Sequence, residues 1–373
     1  MRILYFIPRF ASGGAEAFIV NVCEQMVARG HSCSIVSIDS RDSIYDSRLE
    51  RLGIRRMTLV EDGSGGSFSL YRQGLAGFKR LLDERNGEFD VGHFNIAQGE
   101  ELPFIWAAER SGIPVRILHS HNAGVNSFVK LAGHIACKLI FGRVATTYMA
   151  CSDKAAEWLL PKSALVTGDY SIINNGIATE RFAFDEGKRD TARRALGIDE
   201  EPCLLSVGRL EPQKNHSFLL DVFAELVKDK PGFRLVCVGD GPLKAELQEK
   251  TVSLQLEDNV MWLGVREDVA DLYCAADCFL LPSLFEGFPF CLVEAQASGL
   301  PCVVADTVSP QCALTDLLKY EALDVDVFAA RIIETLSVER RERRGYAGQI
   351  REAGYDIEST TDALLSEYEG GKL

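Results

Sequence analysis

The 373-residue chain has no apolar run that approaches the ~20 residues needed for a membrane-spanning helix. Its first apolar run, Arg2–Ile7, is far too short for a signal peptide and is interrupted by Pro8-Arg9. Cysteine pairs at C-x-x-C spacing are also missing, and the eleven cysteines are scattered, mostly in apolar runs. We therefore expect a cytoplasmic protein in which the cysteines are small core residues rather than a disulfide framework.

An excess of positive charge is missing as well. The chain carries 40 Lys and Arg against 54 Asp and Glu, a net charge of −14, which argues against a general nucleic-acid partner. The imbalance is uneven: residues 1–175 hold 19 basic and 18 acidic side chains, whereas residues 176–373 hold 21 and 36. The first half is therefore the better candidate for contact with an anionic surface.

Repeats and low-complexity segments are absent, and 373 residues suit two domains rather than one. Short apolar runs alternate with amphipathic helical patterns in both halves, which predicts an α/β protein with doubly wound parallel sheets. The turn signal Asn174-Asn175-Gly176 marks a natural boundary. We predict one domain at 1–174 and a second at 175–356, with a final helix at about 357–373 assigned to the first.

The stretch Ser283–Val304, SLFEGFPFCLVEAQASGLPCVV, carries the strongest indication of function. It predicts a loop after a buried strand, a helix over Pro289–Ala297 and a further strand. Glu286 precedes the helix and Glu294 lies inside it, eight positions later. Backbone N–H groups at the helix start form an anion site, and the two flanking carboxylates suit hydroxyl groups. A nucleotide-sugar has this mixture, although a buried β–α–β unit with two surface acids is the simpler alternative.

A second loop supports the ligand-binding interpretation. Arg209 and Lys214 both follow the predicted strand Cys203–Val207, at the edge where open α/β sheets bind ligands. An arginine can grip a diphosphate with two parallel hydrogen bonds, and a lysine can do so as a point charge. Two solvated surface charges would be the alternative. Their position in the same sheet as the two acids favours a diphosphate site.

The first half offers a glycine turn and a histidine pair. Gly13-Gly14 follows a predicted strand but does not form G-x-G-x-x-G, so a structural turn and a turn that lets a ligand approach the backbone both remain open.

His119 and His121 follow the predicted strand Val115–Leu118 and point to one face of an extended chain. One could cap the sheet while the other is solvated. A zinc pair is a further alternative, but no third ligand is evident from spacing.

Two further patterns have a structural and a functional interpretation. The stretch Asn126–Met149 predicts an apolar helix with a basic edge, either a core helix or one that docks on anionic lipid together with basic residues of the helix Leu70–Leu82. Asp324-Val325-Asp326 has the spacing of a metal-binding D-x-D motif. Because it begins a predicted helix, we interpret these acids as favouring the helix dipole.

Together these motifs resemble the retaining glycosyltransferases of family four, which have the GT-B architecture of two Rossmann-like domains facing a cleft. The most specific segments are SLFEGFPFCLVEAQASGLP and, about 75 residues earlier, VGRLEPQKN. The Gly13-Gly14 turn, the HSHN segment and Asn-Asn-Gly-Ile at the boundary fit the same pattern. HSHN is most similar to bacterial members that build capsule and exopolysaccharide.

The resemblance implies roles for the donor site. Arg209 and Lys214 would hold the diphosphate and neutralise the departing nucleoside diphosphate. Glu294 would bind the ribose hydroxyls, and Glu286 would bind hydroxyls of the transferred sugar. The other implied donor-binding residues are Gly13, Gly14, Val265, Arg266, Gly287, Phe288, Pro289, Phe290, Cys291 and Leu292.

The resemblance also implies a histidine beside the reacting sugar, and we favour His121 over His119. It implies no metal ion, no cofactor and retention of the anomeric configuration. One departure concerns Ala305–Gln311, where many members have a longer, glycine-rich segment with another acid. This departure weakens any expectation about which sugar is transferred, but it does not affect the expected fold.

We therefore expect transfer of a sugar from a nucleotide-sugar, with uridine as the expected base, to a lipid-linked or saccharide acceptor in surface polysaccharide synthesis. The enzyme would be cytoplasmic and could sit peripherally on the inner membrane face. Alternatives are a nucleotide-sugar epimerase, a non-catalytic nucleotide-sugar-binding subunit and a Rossmann oxidoreductase. Intact charged residues argue against the second, and the missing glycine fingerprint argues against the third.

Overall fold

The computed structural model describes residues 1–11, 13–39, 43–60, 67–121, 128–286, 288–337 and 342–371. The chain forms two compact units. One comprises Met1–Gly176 with Ile357–Leu373, and the other comprises Ile177–Asp356. Each unit is an α/β domain with one parallel sheet, as the alternating pattern predicts.

The first unit has a seven-stranded sheet in the order β3-β2-β1-β4-β5-β6-β7. Its strands are β1 (Arg2–Arg9), β2 (Ser32–Asp39), β3 (Arg55–Val60), β4 (Val91–Ile96), β5 (Val115–Ser120), β6 (Thr147–Ala150) and β7 (Ser171–Ile172). Its helices are α1 (Gly14–Ala28), α2 (Asp46–Arg51), α3 (Ser67–Glu84), α4 (Pro103–Arg110), α5 (Phe128–Phe141), α6 (Asp153–Leu159) and α7 (Lys162–Thr167). Stacked phenylalanines fill one face of the sheet, with Phe6 and Phe104 at 4.4 Å between ring centroids.

The second unit has a six-stranded sheet in the order β10-β9-β8-β11-β12-β13. Its strands are β8 (Cys203–Val207), β9 (Arg234–Val238), β10 (Val260–Gly264), β11 (Cys278–Leu281), β12 (Cys302–Ala305) and β13 (Leu318–Glu321). Its helices are α8 (Thr179–Phe182), α9 (Glu186–Leu196), α10 (His216–Asp229), α11 (Lys244–Ser253), α12 (Val269–Ala275), α13 (Phe290–Ala297), α14 (Val325–Ser337) and α15 (Tyr346–Glu352). The last helix, α16 (Ile357–Gly370), belongs to the first unit and packs on α1.

The helix predicted over Asn126–Met149 is wrong in its extent. The helix ends at Phe141, and Thr147–Ala150 is a strand, while residues 122–127 lie outside the described residues. Gly142 follows the last helical residue, and a Cβ there would lie 2.4 Å from the Lys138 carbonyl oxygen, so this backbone position requires glycine. The β-branched and aromatic residues that follow favour a strand.

Two predictions about polar and sulfur side chains are confirmed. Asp324 precedes α14 and its carboxylate accepts the Val327 N–H at 3.1 Å, so it caps the helix as the dipole argument expects. All eleven cysteines are free, and nine of them are buried. They act as small apolar side chains in both units.

Candidate functional site

Two loops of the second unit meet where its strand order reverses. β8 neighbours β9 on one side and β11 on the other, so the loops after β8 and β11 share the crevice at the carboxyl ends of the strands. The Leu284 N–H donates to the Gln213 carbonyl at 2.8 Å, and the Gln213 side chain donates to the Phe285 carbonyl at 2.9 Å. The loop that carries Arg209 and Lys214 (the cation loop) and the loop that carries Glu286 (the acid loop) are therefore joined by hydrogen bonds.

A lysine–glutamate pair lies at this junction. Lys214 Nζ is 2.6 Å from Glu286 Oε1, and the two side chains are only 17% and 10% exposed. Ser283 donates to the same carboxylate oxygen at 3.2 Å. Burial opposes the charge on Lys214, but the neighbouring Cys291 and Glu286 side chains raise its pKa above the ordinary value. The site therefore holds a permanent ammonium group.

Arg209 lies in the same loop but in a different environment. Its side chain is 55% exposed and pairs with Glu211 at 2.7 Å. Gly208, the residue before it, gives Lys214 its room, because a Cβ there would lie 3.0 Å from the Lys214 Cε atom. Lys214 is thus fixed inside the crevice, while Arg209 is a solvent-facing charge next to it.

Glu294 projects from α13 into a mostly buried setting. The Tyr273 hydroxyl donates to its carboxylate at 2.9 Å, and lies 3.0 Å from the Cys291 carbonyl. Burial raises the pKa of Glu294 to about 7, because the apolar surroundings disfavour the carboxylate more than the Tyr273 hydrogen bond favours it. This acid consequently changes its charge near neutral pH.

The start of α13 differs from the prediction in two details. Pro289 is the N-cap residue, so the helix begins at Phe290 rather than at Pro289. The Leu292 N–H donates to the Pro289 carbonyl at 3.1 Å and is therefore already used. The N–H groups of Phe290 and Cys291 lie in the first turn, where a helix offers no acceptor of its own. Gly287, a predicted donor-binding residue, lies outside the described residues.

The segment that departs from the family pattern packs on the acid loop. Thr307 donates to the Ser283 carbonyl at 2.6 Å, and the Ser309 N–H donates to the Glu286 carbonyl at 3.1 Å. Phe288, another predicted contact, stacks on Tyr355 at 4.7 Å between ring centroids. A short connection is therefore enough to hold the loop that carries Glu286.

Val265 and Arg266, two further predicted donor-binding residues, lie away from the Lys214–Glu286 pair. They follow β10, which is separated from β8 by β9. Val265 is 41% exposed, and Arg266 pairs with Asp268 at 2.6 Å. The described contacts do not join either residue to the Lys214–Glu286 pair.

The first unit brings the predicted histidines together. The ring centroids of His119 and His121 are 4.0 Å apart, and Phe18 of α1 packs edge-on against both. His119 is fully buried, whereas His121 at the end of β5 is half-buried. His121 Nε2 is 2.8 Å from the side-chain oxygen of Asn95.

The glycine turn before α1 is filled by an acid that the sequence analysis missed. Glu16 folds back so that its carboxylate accepts the Ala11 N–H at 3.1 Å. A Cβ on Gly13 would lie 2.6 Å from the other carboxylate oxygen, so a larger residue there would displace the Glu16 side chain from this position. Gly14 opens α1 directly after it. Because a carboxylate repels phosphate, the turn favours a hydroxyl-bearing ligand over a bare phosphate.

Several side chains at the two sites gave no signal in the sequence. Tyr273 and Gln296 lie in helical patterns that predict core, and His93 and Asn95 lie in a buried strand. Gln296 is fully buried and accepts N–H groups from Leu314 and Thr315. Only a polar residue in an otherwise apolar run could have identified these positions.

Within the described ranges, no three His, Cys, Asp or Glu side chains are grouped to hold a metal ion. None of the helices in that part of the chain combines the length and the apolar character that crossing a bilayer requires.

Family models match nearly the whole chain. Residues 12–181 match the model described as Glycosyltransferase Family 4, and residues 188–351 match the model described as Glycosyl transferases group 1. The chain is 31% identical to EpsF of Bacillus subtilis (strain 168), which is named provisionally as a glycosyltransferase. That alignment covers 98% of this chain and 96% of EpsF.

Two further similarities concern a relative from Escherichia coli and a solved structure. The first is a UDP-Gal:alpha-D-GlcNAc-diphosphoundecaprenol alpha-1,3-galactosyltransferase, 29% identical over 69% of this chain and 68% of that protein. The second is Anabaena Alr3699/HepE in complex with UDP-glucose, with a TM-score of 0.77, 19% identity and coverage of 99% and 100% of the two chains. The second similarity shows the fold.

Proposed function

Because the chain belongs to family 4 of the glycosyltransferases, we propose that it moves a sugar from a uridine diphosphate donor to a lipid-linked saccharide. The product would be part of a surface polysaccharide. The name of the E. coli relative contains both a uridine diphosphate sugar and a diphospholipid-linked sugar, which supports this choice of donor and acceptor. The observation that carries the proposal is the buried Lys214–Glu286 pair beside the first turn of α13.

We assign the donor diphosphate to Lys214 and to the N–H groups of Phe290 and Cys291. An ammonium group and first-turn N–H groups are the donors that phosphate oxygens prefer. Arg209 lies in the same loop and would add a second, more solvated contact once the ligand replaces Glu211 as its partner. These charges would also stabilise the departing uridine diphosphate.

The two acids fit the hydroxyl-bearing ends of the same ligand. Glu294 would accept hydrogen bonds from the ribose hydroxyls, and Glu286 would accept them from the transferred sugar. Glu286 pairs with Lys214 at 2.6 Å, so donor binding has to share the ammonium between a carboxylate and a diphosphate. This sharing would orient both groups and bring the anomeric carbon near the lysine.

In the proposed reaction, the bond from the anomeric carbon to the β-phosphate oxygen breaks and an acceptor hydroxyl forms the new bond to that carbon. The acceptor hydroxyl would give its proton to the departing β-phosphate oxygen, and uridine diphosphate would leave with that proton. Retention of configuration and independence from metal ions are expected from the family resemblance. The family resemblance also leads us to expect a histidine beside the reacting sugar, for which we favour His121 over His119.

A donor and acceptor panel tests the proposal. Purified protein is incubated with several nucleotide-sugars, with and without a lipid-linked saccharide, in the presence and absence of a chelator. We expect nucleoside diphosphate to appear only with acceptor, and equally with chelator. An isomerised donor without acceptor would indicate an epimerase. Donor binding without turnover would indicate a non-catalytic subunit.

We further propose that α5 docks on an anionic bilayer, where a lipid-linked acceptor would be found. Three apolar side chains of this helix face solvent: Ile135, Leu139 and Ile140, with exposures of 49%, 79% and 68%. Phe141 at its end packs on Trp106 of α4 at 6.0 Å between ring centroids. Lys79 of α3 and Arg110 of α4 both lie over the Trp106 ring, at 5.1 and 5.0 Å from its centroid.

Apolar side chains flanked by cations are the pattern that an anionic lipid surface selects. Each exposed basic residue near such a surface contributes about 1 kcal/mol, and salt screens it within about 8 Å. The Lys138 ammonium takes no part, because it donates to the carbonyls of Glu157 and Trp158 at 2.9 Å. The docking should therefore depend on Leu139 and Ile140 together with Lys79 and Arg110.

Flotation with lipid vesicles tests the docking. Wild-type protein should float with anionic vesicles at low salt and less at high salt, and Leu139→Glu should abolish flotation. Val252→Glu is the matched control, since Val252 is an exposed apolar residue of α11 in the other unit. Equal flotation of Leu139→Glu and wild type would contradict the docking surface, and a soluble acceptor would then be the better candidate.

A further inference from the structure

A chain of hydrogen bonds runs through the core of the first unit from its C-terminal helix to the histidine pair. The Tyr368 hydroxyl of α16 lies 2.5 Å from His93 Nδ1, and His93 Nε2 lies 3.0 Å from His119 Nδ1. At the tyrosine end of the chain, the Tyr5 hydroxyl of β1 lies 3.3 Å from the Tyr368 hydroxyl. All four side chains are fully buried. The sequence analysis placed His119 beside His121, but it predicted none of these three hydrogen bonds.

The histidines in this region are neutral. Burial lowers the pKa of His93 to about 3 and that of His121 to about 4. The pKa of His119 falls well below its ordinary value, first through burial and then through its histidine neighbours. Burial raises the pKa of the Tyr5 and Tyr368 hydroxyls, so both keep their protons. Each neutral imidazole therefore has one N–H donor and one acceptor nitrogen.

The donor nitrogen of His121 follows from its partner. The amide nitrogen of Asn95 lies 3.3 Å from the Phe6 carbonyl and 3.5 Å from the His93 carbonyl, which fixes the orientation of the amide. Its oxygen is then the atom that faces His121 Nε2 at 2.8 Å. An oxygen can only accept here, so His121 carries its proton on Nε2. His121 Nδ1 is left as a lone pair.

The donor direction in the buried chain follows from the chemistry of the Tyr368–His93 contact. A phenol O–H is a stronger donor than a neutral imidazole N–H, and an imidazole nitrogen is a stronger acceptor than a phenol oxygen. Tyr368 therefore donates to His93 Nδ1, which places the His93 proton on Nε2. His93 then donates to His119 Nδ1, and the His119 proton must lie on Nε2.

His119 Nε2 is the open end of this chain. The nitrogen is buried and has no hydrogen-bond partner among the described residues. A buried N–H without an acceptor is unfavourable, so the donation from Tyr368 to His93 at the far end of the chain is needed to hold this tautomer of His119.

We propose that Tyr368 is a positioning residue that sets, through His93, the tautomer of His119. His119 Nε2 then carries an N–H inside the core, and the His119 ring lies 4.0 Å from that of His121, which keeps a lone pair on Nδ1. Any role of this pair toward a sugar rests on the proposed glycosyl transfer, whereas the tautomers themselves do not.

Removing the Tyr368 hydroxyl leaves both ends of the His93–His119 pair without a partner. The two donor directions then have similar free energies, because each leaves one N–H and one lone pair unpaired. Tyr368→Phe should therefore contain the two tautomers of His93 and His119 in about equal amounts. Tyr5→Phe is the matched control, since it removes a buried hydroxyl but leaves the Tyr368-to-His93 donation intact.

The test uses NMR of the full-length protein labelled with ¹⁵N at its six histidines, near pH 7.5. Long-range proton–nitrogen spectra show which ring nitrogen carries the proton. Wild type and Tyr5→Phe should show His93, His119 and His121 protonated on Nε2, and Tyr368→Phe should show mixed tautomers for His93 and His119.

Three results would overturn the proposal: a wild-type His119 proton on Nδ1, an unchanged His119 in Tyr368→Phe, or equal changes in Tyr5→Phe and Tyr368→Phe. His121 should stay unchanged in both variants, because Asn95 fixes it independently. If the protein transfers no sugar at all, the proposed function fails, but the tautomers are still read out in full.

Discussion

Glu294 gives the sharpest test of the donor site, because its charge should change within the pH range of ordinary assays. Burial raises its pKa to about 7, above the usual value for a glutamate. A carboxylate accepts two ribose hydroxyls, whereas the protonated acid offers fewer acceptor sites. We therefore expect the donor to bind preferentially to the ionised form, and donor affinity to fall as pH falls through about 7.

The magnitude follows from the fraction of ionised acid. If only the ionised form binds, the apparent Kd is multiplied by one plus the ratio of proton concentration to the acid constant. With a pKa of about 7, the Kd at pH 6 should be about elevenfold above its limiting value, and the Kd at pH 8 only about 1.1-fold above it.

Isothermal titration with an intact uridine diphosphate sugar measures this directly. The sugar ester has no titratable terminal phosphate in this range, unlike free nucleoside diphosphate. His216 follows the Lys214 loop, but burial lowers its pKa to about 4, so it does not interfere. Glu294→Gln should bind weakly and independently of pH. Tyr273→Phe should move the midpoint upward, because the hydrogen bond from Tyr273 lowers the pKa of Glu294.

A flat wild-type profile between pH 6 and pH 8 would refute the ribose role of an ionised Glu294. So would a Glu294→Gln variant that keeps the full wild-type slope, since another group would then be responsible. If the pH dependence of the donor Kd survives Glu294→Gln but disappears when another titratable residue is replaced, that residue is the responsible group.

Two further predictions concern the cation loop. Lys214→Ala should lower kcat by about a hundredfold or more in steady-state transfer assays, since one preorganised charge contact is worth ~3 kcal/mol of barrier, whereas Arg209→Ala should lose less because Arg209 is more than half exposed. Activity of Lys214→Ala within about threefold of wild type would contradict the diphosphate role. Glu286→Gln should bind uridine diphosphate about tenfold more tightly, because the ammonium loses its competing carboxylate, while kcat falls. Weaker diphosphate binding by this variant would show that Glu286 orients Lys214 rather than competes for it.

The position of the two loops that we assign to the donor was predictable because their signals are local. Alternation of apolar runs with helical patterns predicts parallel sheets, and the carboxyl ends of parallel strands gather the loops that follow them. Lys214 and Glu286 are 72 residues apart in sequence, yet this rule places their loops at one edge of the sheet. The strand order, in which β8 neighbours β11, then brings the loops side by side. What the rule cannot give is the pairing of the two charges, which depends on side-chain geometry within a few ångströms.

The chain from Tyr368 to His119 was not predictable for the opposite reason. Tyr368 and His93 are 275 residues apart, and α16 reaches the first unit only after the whole second unit has been completed. A tyrosine in an amphipathic helix and a histidine in an apolar strand each predict ordinary core residues. Their polar atoms become informative only when the packing that excludes water also brings them together.

Charge counting favours one of the two proposed contacts, the bilayer, and argues wrongly against the other, the anionic donor. The second half of the chain has 36 acidic against 21 basic side chains, yet it holds the site that we assign to an anionic donor. Exposed charges farther than about 8 Å are screened by salt, so the excess acidity of this unit acts weakly inside the crevice. Lys214 lies within it at low exposure, where screening is slight, and the first turn of α13 adds aligned N–H groups. Net charge therefore bears on contact with an extended surface such as a bilayer, whereas a bound diphosphate depends on the few groups within reach of its oxygens.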